Sequence, residues 1–298
     1  MRHTHVTNRI AAGALALLLL AAVVSPALAK DKKPKTPKAP RVPAVAPVAD
    51  SVTVGLWRFD ETLGLQVADS GPFRLAGVAG PDTRAAFGRF RNGREFPAAA
   101  QTFVVVPYNP VLDLERRFTI EAWVYVNAVS DGTLQTIAAR WSPLVNEQLW
   151  AFGVSGRALD SATLGNPYAD LLNGAPPLHL VFAYRSGQST QTQTLVSVGE
   201  LPLERWVHVA ATIDGEVATL YVEGRLDSQV AMPYLMRTGP VPLMFGNTLD
   251  SHRMTDFGGD LRVDTIGQRF KGDPLDGMLD EVRLSSAART TFESAPPR

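Results

Sequence analysis

The stretch that most constrains the fold is Arg205–Gly224, which reads RWVHVAATIDGEVATLYVEG. Side chains alternate in character along both arms, and Asp214-Gly215 separates them. Asp-Gly between alternating runs is the strongest short-range signal for a β-hairpin, because both residues tolerate the positive φ angles of a tight turn. Both faces carry apolar or aromatic groups, such as Val207 and Trp206. We therefore expect the hairpin to lie inside a sandwich of two sheets rather than on a free surface.

The first residues, Met1–Ala29, have the pattern of a secretory signal peptide. Two arginines precede the apolar run Ile10–Val24, and Ala27-Leu28-Ala29 matches a cleavage site before Lys30. The alternative is a membrane anchor, but the run has 15 residues, whereas a membrane span needs about 20. The sequence thus predicts a secreted, periplasmic or extracellular protein with no transmembrane anchor after cleavage.

The next segment, Lys30–Asp50, changes composition abruptly. It contains six basic residues, two acidic residues and five prolines, so it buries little and is predicted to be an extended linker. One interpretation is electrostatic attachment to anionic envelope polymers or lipids. The favoured alternative is a plain spacer.

Charge and cysteine content limit the function of the remainder, residues 51–298, which we predict to be one domain. The full chain has 298 residues, with 29 Lys and Arg and 29 Asp and Glu; removal of the first two segments leaves 21 basic and 27 acidic residues. This acidic balance argues against a nucleic-acid partner, which would require a basic patch. Cysteine is absent, so stability must come from a core and not from disulfides.

Short segments of strand character, separated by Gly, Pro, Asn and Asp, fill this domain. Beside the opening hairpin, the predicted strands are Val52–Phe59, Phe103–Val106, Arg117–Val126, Thr136–Trp141, Gln148–Val154, Leu178–Arg185, Thr194–Val198, Leu243–Phe245, Arg262–Ile266 and Met278–Leu284. The pattern predicts an all-β fold, a two-sheet antiparallel sandwich. One short C-terminal helix is expected at Ser286–Glu293.

Four stretches, in order, resemble the laminin-G-like family of concanavalin-A-like jelly-roll domains. They are GLWRFDETLGLQVADSG (Gly55–Gly71), FTIEAWVYV (Phe118–Val126), the opening hairpin and LDGMLDEVRLSSAART (Leu275–Thr290). The resemblance implies a jelly-roll fold but no particular ligand, since the family includes carbohydrate-binding modules, adhesion domains and accessory domains of enzymes. The stretch Asn247–Asp264 looks like an insertion relative to the family.

The resemblance also implies a structural calcium ion where the closing strand meets the first strand. It assigns Asp280 as a ligand, with Asp60 and a group at Asp69 as possible partners. By strand alternation Asp280 shares a face with Met278 and Val282, and a carboxylate on an apolar face is costly unless it is hydrogen-bonded or bound to a cation. The alternative is that Asp280 caps turn amides without a metal.

Two further places are candidate ligand sites. The insertion contains Asp250, Asp256 and His252, and is either a mobile loop at a ligand or calcium site or a solvated acidic loop. Trp141 and Trp150 flank the loop Ser142–Leu149, and rings exposed there could stack on a sugar. The other three tryptophans, Trp57, Trp123 and Trp206, lie within the family-like stretches and are expected in the core.

Catalytic motifs are not found in the sequence. No paired carboxylates occur at the spacing that glycosidases use, because Glu121 stands alone on its strand and Asp280 and Glu281 are expected on opposite faces. We therefore predict a secreted, non-catalytic module that binds a glycan of the cell envelope or outside the cell. The alternative is a structural or adhesion domain that contacts protein, and a glycoside hydrolase is the third possibility.

Overall fold

The computed structural model describes residues 45–99, 101–130, 134–142, 144–157, 174–188, 191–232, 234–257, 260–264, 273–293 and 295. All of these belong to one compact unit, Arg41–Arg298. The predicted signal peptide and most of the predicted linker lie outside the described residues. No helix among the described residues is long and apolar enough to cross a membrane.

Almost all regular structure in the described residues is β-strand. In chain order the strands are β1 (Thr53–Trp57), β2 (Gln66–Val67), β3 (Gly77–Ala79), β4 (Arg84–Phe87), β5 (Asn92–Pro97), β6 (Val104–Val106), β7 (Phe118–Val126), β8 (Leu134–Trp141), β9 (Gln148–Ser155), β10 (His179–Arg185), β11 (Thr192–Glu200), β12 (Trp206–Ile213), β13 (Val217–Val222), β14 (Arg225–Ala231), β15 (Leu243–Phe245), β16 (Met254–Phe257), β17 (Asp260–Val263) and β18 (Asp276–Ser285). Single 3-10 turns occupy Pro110–Leu112, Val145–Glu147 and Ser251–Arg253.

Two antiparallel sheets of eight strands each form the sandwich. The first sheet has the order β14-β13-β12-β7-β18-β5-β4, and β1 also pairs with β18. The second has the order β11-β10-β9-β8-β15-β6-β3-β2. This architecture confirms the all-β sandwich predicted from the strand pattern.

The Asp-Gly hairpin is the β12–β13 pair, and it lies within the first sheet. β12 pairs with β13 on one side and with β7 on the other, where Val209 faces Ala122. Val207, Val209 and Ile213 point into the core between the sheets. The prediction that this hairpin lies inside a two-sheet sandwich is therefore confirmed.

Aromatic rings fill much of the space between the sheets. Trp57 and Phe245 have ring centroids 4.9 Å apart, and Phe118 and Trp150 have centroids 5.0 Å apart. These rings come from strands of opposite sheets. Both pairs are tilted, with interplanar angles of 60° and 58°, and contacts of this kind hold the sheets together through a large buried apolar area.

A β-bulge in β18 changes the face on which its side chains lie. The β7–β18 register shifts between Asp280 and Arg283, and Glu281 has a φ of 50°. As a result Val282 lies in the core, as does Leu279 on the other side of the bulge. The prediction that Asp280 shares a face with Val282 and Leu284 is therefore wrong, because the bulge inserts one residue between them.

The segment after β18, residues 286–293, is an irregular strap across the outer face of the first sheet. No helix forms in these residues, contrary to the prediction. Tertiary contacts replace the hydrogen bonds of a helix: the Ser286 amide donates to Val52 O, and the Arg289 amide donates to Thr119 Oγ1. Phe292 packs against His208 and Tyr221, with centroids 5.2 and 5.1 Å apart. We call this segment the C-terminal strap.

The described end of the predicted linker, residues 45–50, also packs on the sandwich. Pro47 O accepts from Arg58 Nη2 at 2.8 Å, and Val48 O accepts from Arg283 Nη1 at 3.1 Å. Asp50 Oδ1 accepts from Arg289 Nη2 at 2.7 Å. The folded unit thus begins before Ser51, the boundary expected from composition.

The insertion is an ordered hairpin, formed by β16 and β17, in its described residues. Val263, Met254 and Leu261 pack with Phe103, Val105 and Met244 on the outer face of the second sheet. The Gln101 side chain bonds both the N–H and the C=O of Val263, at 2.8 and 3.0 Å. From the sequence we expected either a mobile loop or a solvated acidic loop. The described part of the insertion is instead a hairpin packed on the sheet.

Candidate functional site

The two stretches that the sequence marked as ligand candidates meet at one place on the surface. The β8–β9 loop is closed by the Ser142 amide, which donates to Glu147 O at 3.1 Å. Glu147 Oε1 lies 2.6 Å from Nε2 of His252 in the insertion. Leu144, at the tip of the loop, is 46% exposed. We call this surface, residues 142 and 144–149 with residues 250–253, the loop–insertion site.

Polar atoms near this site lack hydrogen-bond partners. Trp141 and Gln148 face each other across β8 and β9, so their side chains share a face of the second sheet. Trp141 Nε1, Gln148 Oε1 and Glu147 Oε2 are buried and have no hydrogen-bond partner. A buried group of this kind costs about 1–3 kcal/mol if it stays unsatisfied. These atoms are buried beneath the surface, so they contact no ligand there unless the side chains above them move.

His252 is the titratable group most affected by the contact. Its side chain is 65% exposed, whereas that of Glu147 is 22% exposed. The hydrogen bond that Glu147 accepts from the imidazole, and then the negative charge of Glu147, raise the pKa of His252 above its usual value. The pair can therefore present a cationic imidazole beside a carboxylate.

Both candidate tryptophans are buried. Trp141 is 1% exposed and lies in a cluster on the outer face of the second sheet, with the Arg185 guanidinium 5.7 Å from its ring centroid. Trp150 is 3% exposed and packs in the core against Phe118 and Phe182. The expectation that these rings are exposed for sugar stacking is therefore wrong. Strand alternation in the sequence does not reveal the burial of Trp141, because a bulge between Arg140 and Trp141 shifts the register of β8.

The two candidate aspartates of the insertion occupy different places. Asp250 caps the Ser251–Arg253 turn, where its Oδ1 accepts from the His252 amide at 3.0 Å, and so it positions His252. Asp256 lies exposed on β16. Only Asp250 is thus part of the loop–insertion site.

Asp280 lies beneath the β4–β5 turn. Its Oδ2 accepts from the Phe90 amide at 2.7 Å, whereas its Oδ1 is buried and has no partner. A Cβ atom on Gly88 would lie 2.6 Å from Oδ2, so this close approach requires glycine. Asp60 borders the same turn, because its Oδ1 accepts from the Asn92 amide at 3.3 Å.

Burial raises the pKa of two neighbouring carboxyl groups. For Asp280 the pKa rises to about 8, chiefly through burial, although the Phe90 amide acts in the opposite direction. For Glu281 burial raises the pKa to about 7, against the opposing charge of Arg58, whose Nη1 lies 2.9 Å away. A cation near Asp280 Oδ1 would favour the ionised form of that carboxyl. Asp280 Oδ1, which has no hydrogen-bond partner, and the nearby carboxylate of Asp60 could supply some of the oxygen ligands that calcium requires.

Asp69, the third residue expected at the calcium site, does not lie with Asp280 and Asp60. Its Oδ1 accepts from the amides of Leu56 and Gly71, and its Oδ2 accepts from the amide of Leu75, at 2.7, 2.6 and 2.7 Å. Among the described residues no three His, Cys, Asp or Glu side chains are grouped so as to hold a metal ion. Asp69 is thus a cap for backbone amides, and any calcium at Asp280 would need carbonyl or water oxygens as further ligands.

A buried polar network that the sequence did not predict lies under the C-terminal strap. Glu121 Oε2 is 3.0 Å from His208 Nε2, and Glu121 Oε1 accepts from Arg283 Nε at 2.7 Å. Arg283 also bonds Glu293 of the strap. A signal was available in the alternation of each strand, but placing Glu121 beside His208 also requires the pairing of β7 with β12, which the structure provides.

Comparison with models of protein families shows to which superfamily this chain belongs. A model described as the concanavalin A-like lectin/glucanases superfamily matches residues 98–263. The chain belongs to this superfamily. The match covers the strands from β6 to β17, including the central hairpin and the insertion. A search of curated protein sequences gave no significant match.

Solved structures with the superfamily fold are similar over most of the chain. The binding domain of Paraclostridial Mosquitocidal Protein 1 has a TM-score of 0.54 at 13% identity, covering 82% of this chain and 50% of that one. The botulinum neurotoxin serotype G binding domain has a TM-score of 0.53 at 10% identity, covering 81% and 50%. The chain thus spans about half the length of these toxin domains.

A third similar structure is matched over nearly its whole length. Domain 4 of AbnA, a GH43 extracellular arabinanase from Geobacillus stearothermophilus in complex with arabinotriose, has a TM-score of 0.50 at 15% identity, covering 82% of this chain and 95% of that one. At such identities the likeness is one of fold. In this superfamily member, the loop–insertion site joins a loop of the second sheet to a hairpin packed on its outer face.

Proposed function

We propose that this chain is a secreted, non-catalytic module that binds a glycan at the loop–insertion site. The observation that carries the proposal is the exposed Glu147–His252 pair, which joins the two segments and presents charged hydrogen-bonding groups at the surface. Sugar hydroxyls are both donors and acceptors, so a carboxylate beside an imidazole is a suitable partner. Leu144 adds an exposed apolar contact.

The fold comparisons support a binding role in general terms. The similar structures are named as binding domains of toxins or as a domain in complex with arabinotriose. Secretion is supported by the signal-peptide pattern of Met1–Ala29, and N-terminal sequencing of the exported protein should find Lys30 first.

A glycan array with the purified exported protein tests the proposal. We expect binding to a subset of glycans, and a clear loss of that binding in Glu147→Gln and in His252→Ala. The matched control is Asp260→Asn, which breaks an exposed ion pair with Arg262 in the same insertion but outside the site. Glycan binding that is unchanged in both site variants would place the ligand elsewhere, and no binding to any glycan would argue against the proposal as a whole.

The second candidate is an adhesion role in which the domain contacts protein. It is favoured by three exposed apolar side chains on the adjoining edges of the two sheets: Val198 on β11 is 78% exposed, and Leu226 and Val230 on β14 are 56% and 43% exposed. The two edges are joined by the Val198 amide, which donates to Asp227 Oδ1 at 2.6 Å. Exposed apolar patches are typical of protein contacts.

We also propose that calcium stabilises the domain at Asp280, with Asp60 as the second carboxylate. The buried Asp280 Oδ1 without a partner supports the proposal, because a bound cation would satisfy it. Calcium would supply structural stability and no catalytic step. The absence of catalysis is proposed on separate grounds: Glu121 is 1% exposed and is held by Arg283 and His208, so it does not face solvent.

A further inference from the structure

One end of the first sheet is an open edge. The strand β4 is the last strand of that sheet, and among the described residues it pairs only with β5. Its register with β5 is regular, without a bulge, and its sequence RAAF contains neither proline nor lysine. Exposed edges are usually protected by such features, because unpaired N–H and C=O groups attract a further strand. At β4 the protection is limited to the short length of the strand and the charge of Arg84, so the edge stays open to a further strand.

The side chains on this edge are unusual for a surface strand. Phe87 is 90% exposed. Beside it is a cleft of about 250 Å³ lined by Ala85, Ala86, Phe87 and Asn92. This is smaller than the roughly 300–1,000 Å³ of ordinary ligand pockets. It therefore suits an inserted side chain better than a separate small molecule.

The β4–β5 turn determines which backbone groups face outward. The Gly88 amide donates to Arg91 O, which closes the turn. Hydrogen-bonded and non-bonded pairs alternate in an antiparallel ladder, so Ala86 bonds inward to β5. The N–H and C=O groups of Ala85 and Phe87 therefore point to the open edge. Any added strand must bond to these two residues.

A second copy of the same strand satisfies this requirement by symmetry. In an antiparallel pair about a two-fold axis at Ala86, Ala85 of each copy lies opposite Phe87 of the other. Both residues direct their backbone groups outward, so each such pair exchanges two hydrogen bonds. The large ring of Phe87 then lies over the small Ala85 of the other copy. The strand is thus complementary to itself in backbone and in side-chain size.

We propose that two copies of this chain associate through antiparallel pairing of β4, with Ala86 on the two-fold axis. The interface is isologous, so it closes as a dimer and does not propagate. Three paired residues in each copy, Ala85, Ala86 and Phe87, bury a small area, and interfaces below about 1,200 Å² are commonly transient. The proposal concerns the edge of the first sheet and does not depend on glycan binding at the second.

Sedimentation velocity over a wide range of concentrations tests the proposal. We expect the exported protein to shift from monomer to dimer as its concentration rises. Ala86→Lys should remain monomeric, because like charges would lie opposite each other at the axis. Ala86→Asp should behave in the same way, and an equimolar mixture of the two variants should recover the dimer. Ala231→Lys, on the exposed edge strand β14 at the other end of the sheet, is the matched control and should dimerise normally.

A second variant separates the interface from folding. Phe87→Ser changes a side chain that makes little contact within the chain, so its melting temperature should equal that of the wild type while its dimerisation is lost. The proposal is overturned if the wild type remains monomeric at every concentration, or if Ala86→Lys and Phe87→Ser dimerise as the wild type does. A wild-type dimer that survives Phe87→Ser would place the interface on another surface.

Discussion

Glu121 Oε2 lies 3.0 Å from His208 Nε2, and both side chains are at most 1% exposed. The other carboxylate oxygen of Glu121 bonds the buried Arg283. These groups lie on the outer face of the first sheet, where the C-terminal strap covers them. The outer face of a sandwich sheet has therefore become a second, polar interior.

Removing Glu121 should destabilise the domain strongly. In Glu121→Ala the buried Arg283 loses one of its two carboxylate partners and His208 loses its acceptor; breaking a buried ion pair typically costs about 3–5 kcal/mol. Urea unfolding measures the change. The matched control is Glu95→Ala, whose ion pair with Arg84 spans 3.8 Å at the surface and should contribute about 0–1 kcal/mol. Equal effects of the two changes would contradict the importance of the buried network.

Removing residues 45–50 should also lower stability. A chain that begins at Ser51 loses Val48 O and Pro47 O, which accept from Arg283 and Arg58. Each arginine keeps a carboxylate partner but loses one carbonyl acceptor, and the lost hydrogen bonds of charged donors should cost about 2 kcal/mol in total, or roughly a 4–8 °C lower melting temperature. The comparison is with a chain that begins at Val45, measured by differential scanning calorimetry. Identical melting temperatures would show that this stretch only rests on the surface.

Calcium should stabilise the protein, and more so as the pH approaches 8. The carboxyl of Asp280 must lose its proton to bind a cation, and burial raises its pKa to about 8. Excess calcium should therefore raise the melting temperature relative to EDTA. Asp280→Asn should abolish the difference, while Asp260→Asn, an exposed control, should retain it. No response to EDTA in the wild type would remove the metal proposal.

Without calcium, the same group should make stability fall as the pH rises. The unfolded carboxyl ionises near its ordinary pKa of 3.8, while the folded one stays protonated until about 8. Between these values the folded state binds more protons, so stability is lost with rising pH. Thermal melts in EDTA should show this slope in the wild type, and a flatter profile in Asp280→Asn.

Replacing Trp150 should destabilise the domain more than replacing Trp206, which is the reverse of what the sequence predicts. Trp150→Ala removes a ring packed between the sheets and should cost roughly 3–5 kcal/mol. Trp206, expected in the core, is only half-buried and packs edge-to-face on Tyr125 at 5.7 Å. Trp206→Ala should therefore cost clearly less in chemical denaturation. A larger loss for Trp206 would contradict the placement of these rings.

The Glu147–His252 contact should be visible in the titration of His252. Because Glu147 raises the pKa of His252, the pair contributes stability that is present at low pH and is lost as the pH rises through the raised pKa. NMR titration should find this pKa above that of an ordinary histidine. It should fall to the ordinary range in Glu147→Gln and remain raised in Asp260→Asn.

Much of the fold could be predicted because the signals are local. The Asp-Gly turn and its alternating arms define β12 and β13, and the faces of β7 follow from the same alternation. Most of the strands that were missed are short: β2 and β4 have two and four residues, although β5, with six residues, was missed as well. Runs so short contain too little alternation to distinguish them from loops.

The sites could be predicted less well because register and burial depend on distant partners. The bulge at Asp280 follows from how β18 fits against β7, and no neighbour in sequence reveals it. Trp150 borders a loop in sequence yet packs against Phe118 of the opposite sheet. The segments that contain Glu147 and His252 were both singled out as candidates from the sequence. The contact between these two residues was not predicted.

The arrangement of the chain ends has a mechanical consequence. Thr53 at the start of β1 lies opposite Ser285 at the end of β18, so tension between the two ends would peel these strands apart one bond at a time. Before that load reaches the ladder, it must break the contacts of Arg283 and Arg289 with Val48 and Asp50. We expect these arginine contacts to hold the two ends together, so the resistance of the domain to pulling depends on the rate at which they break.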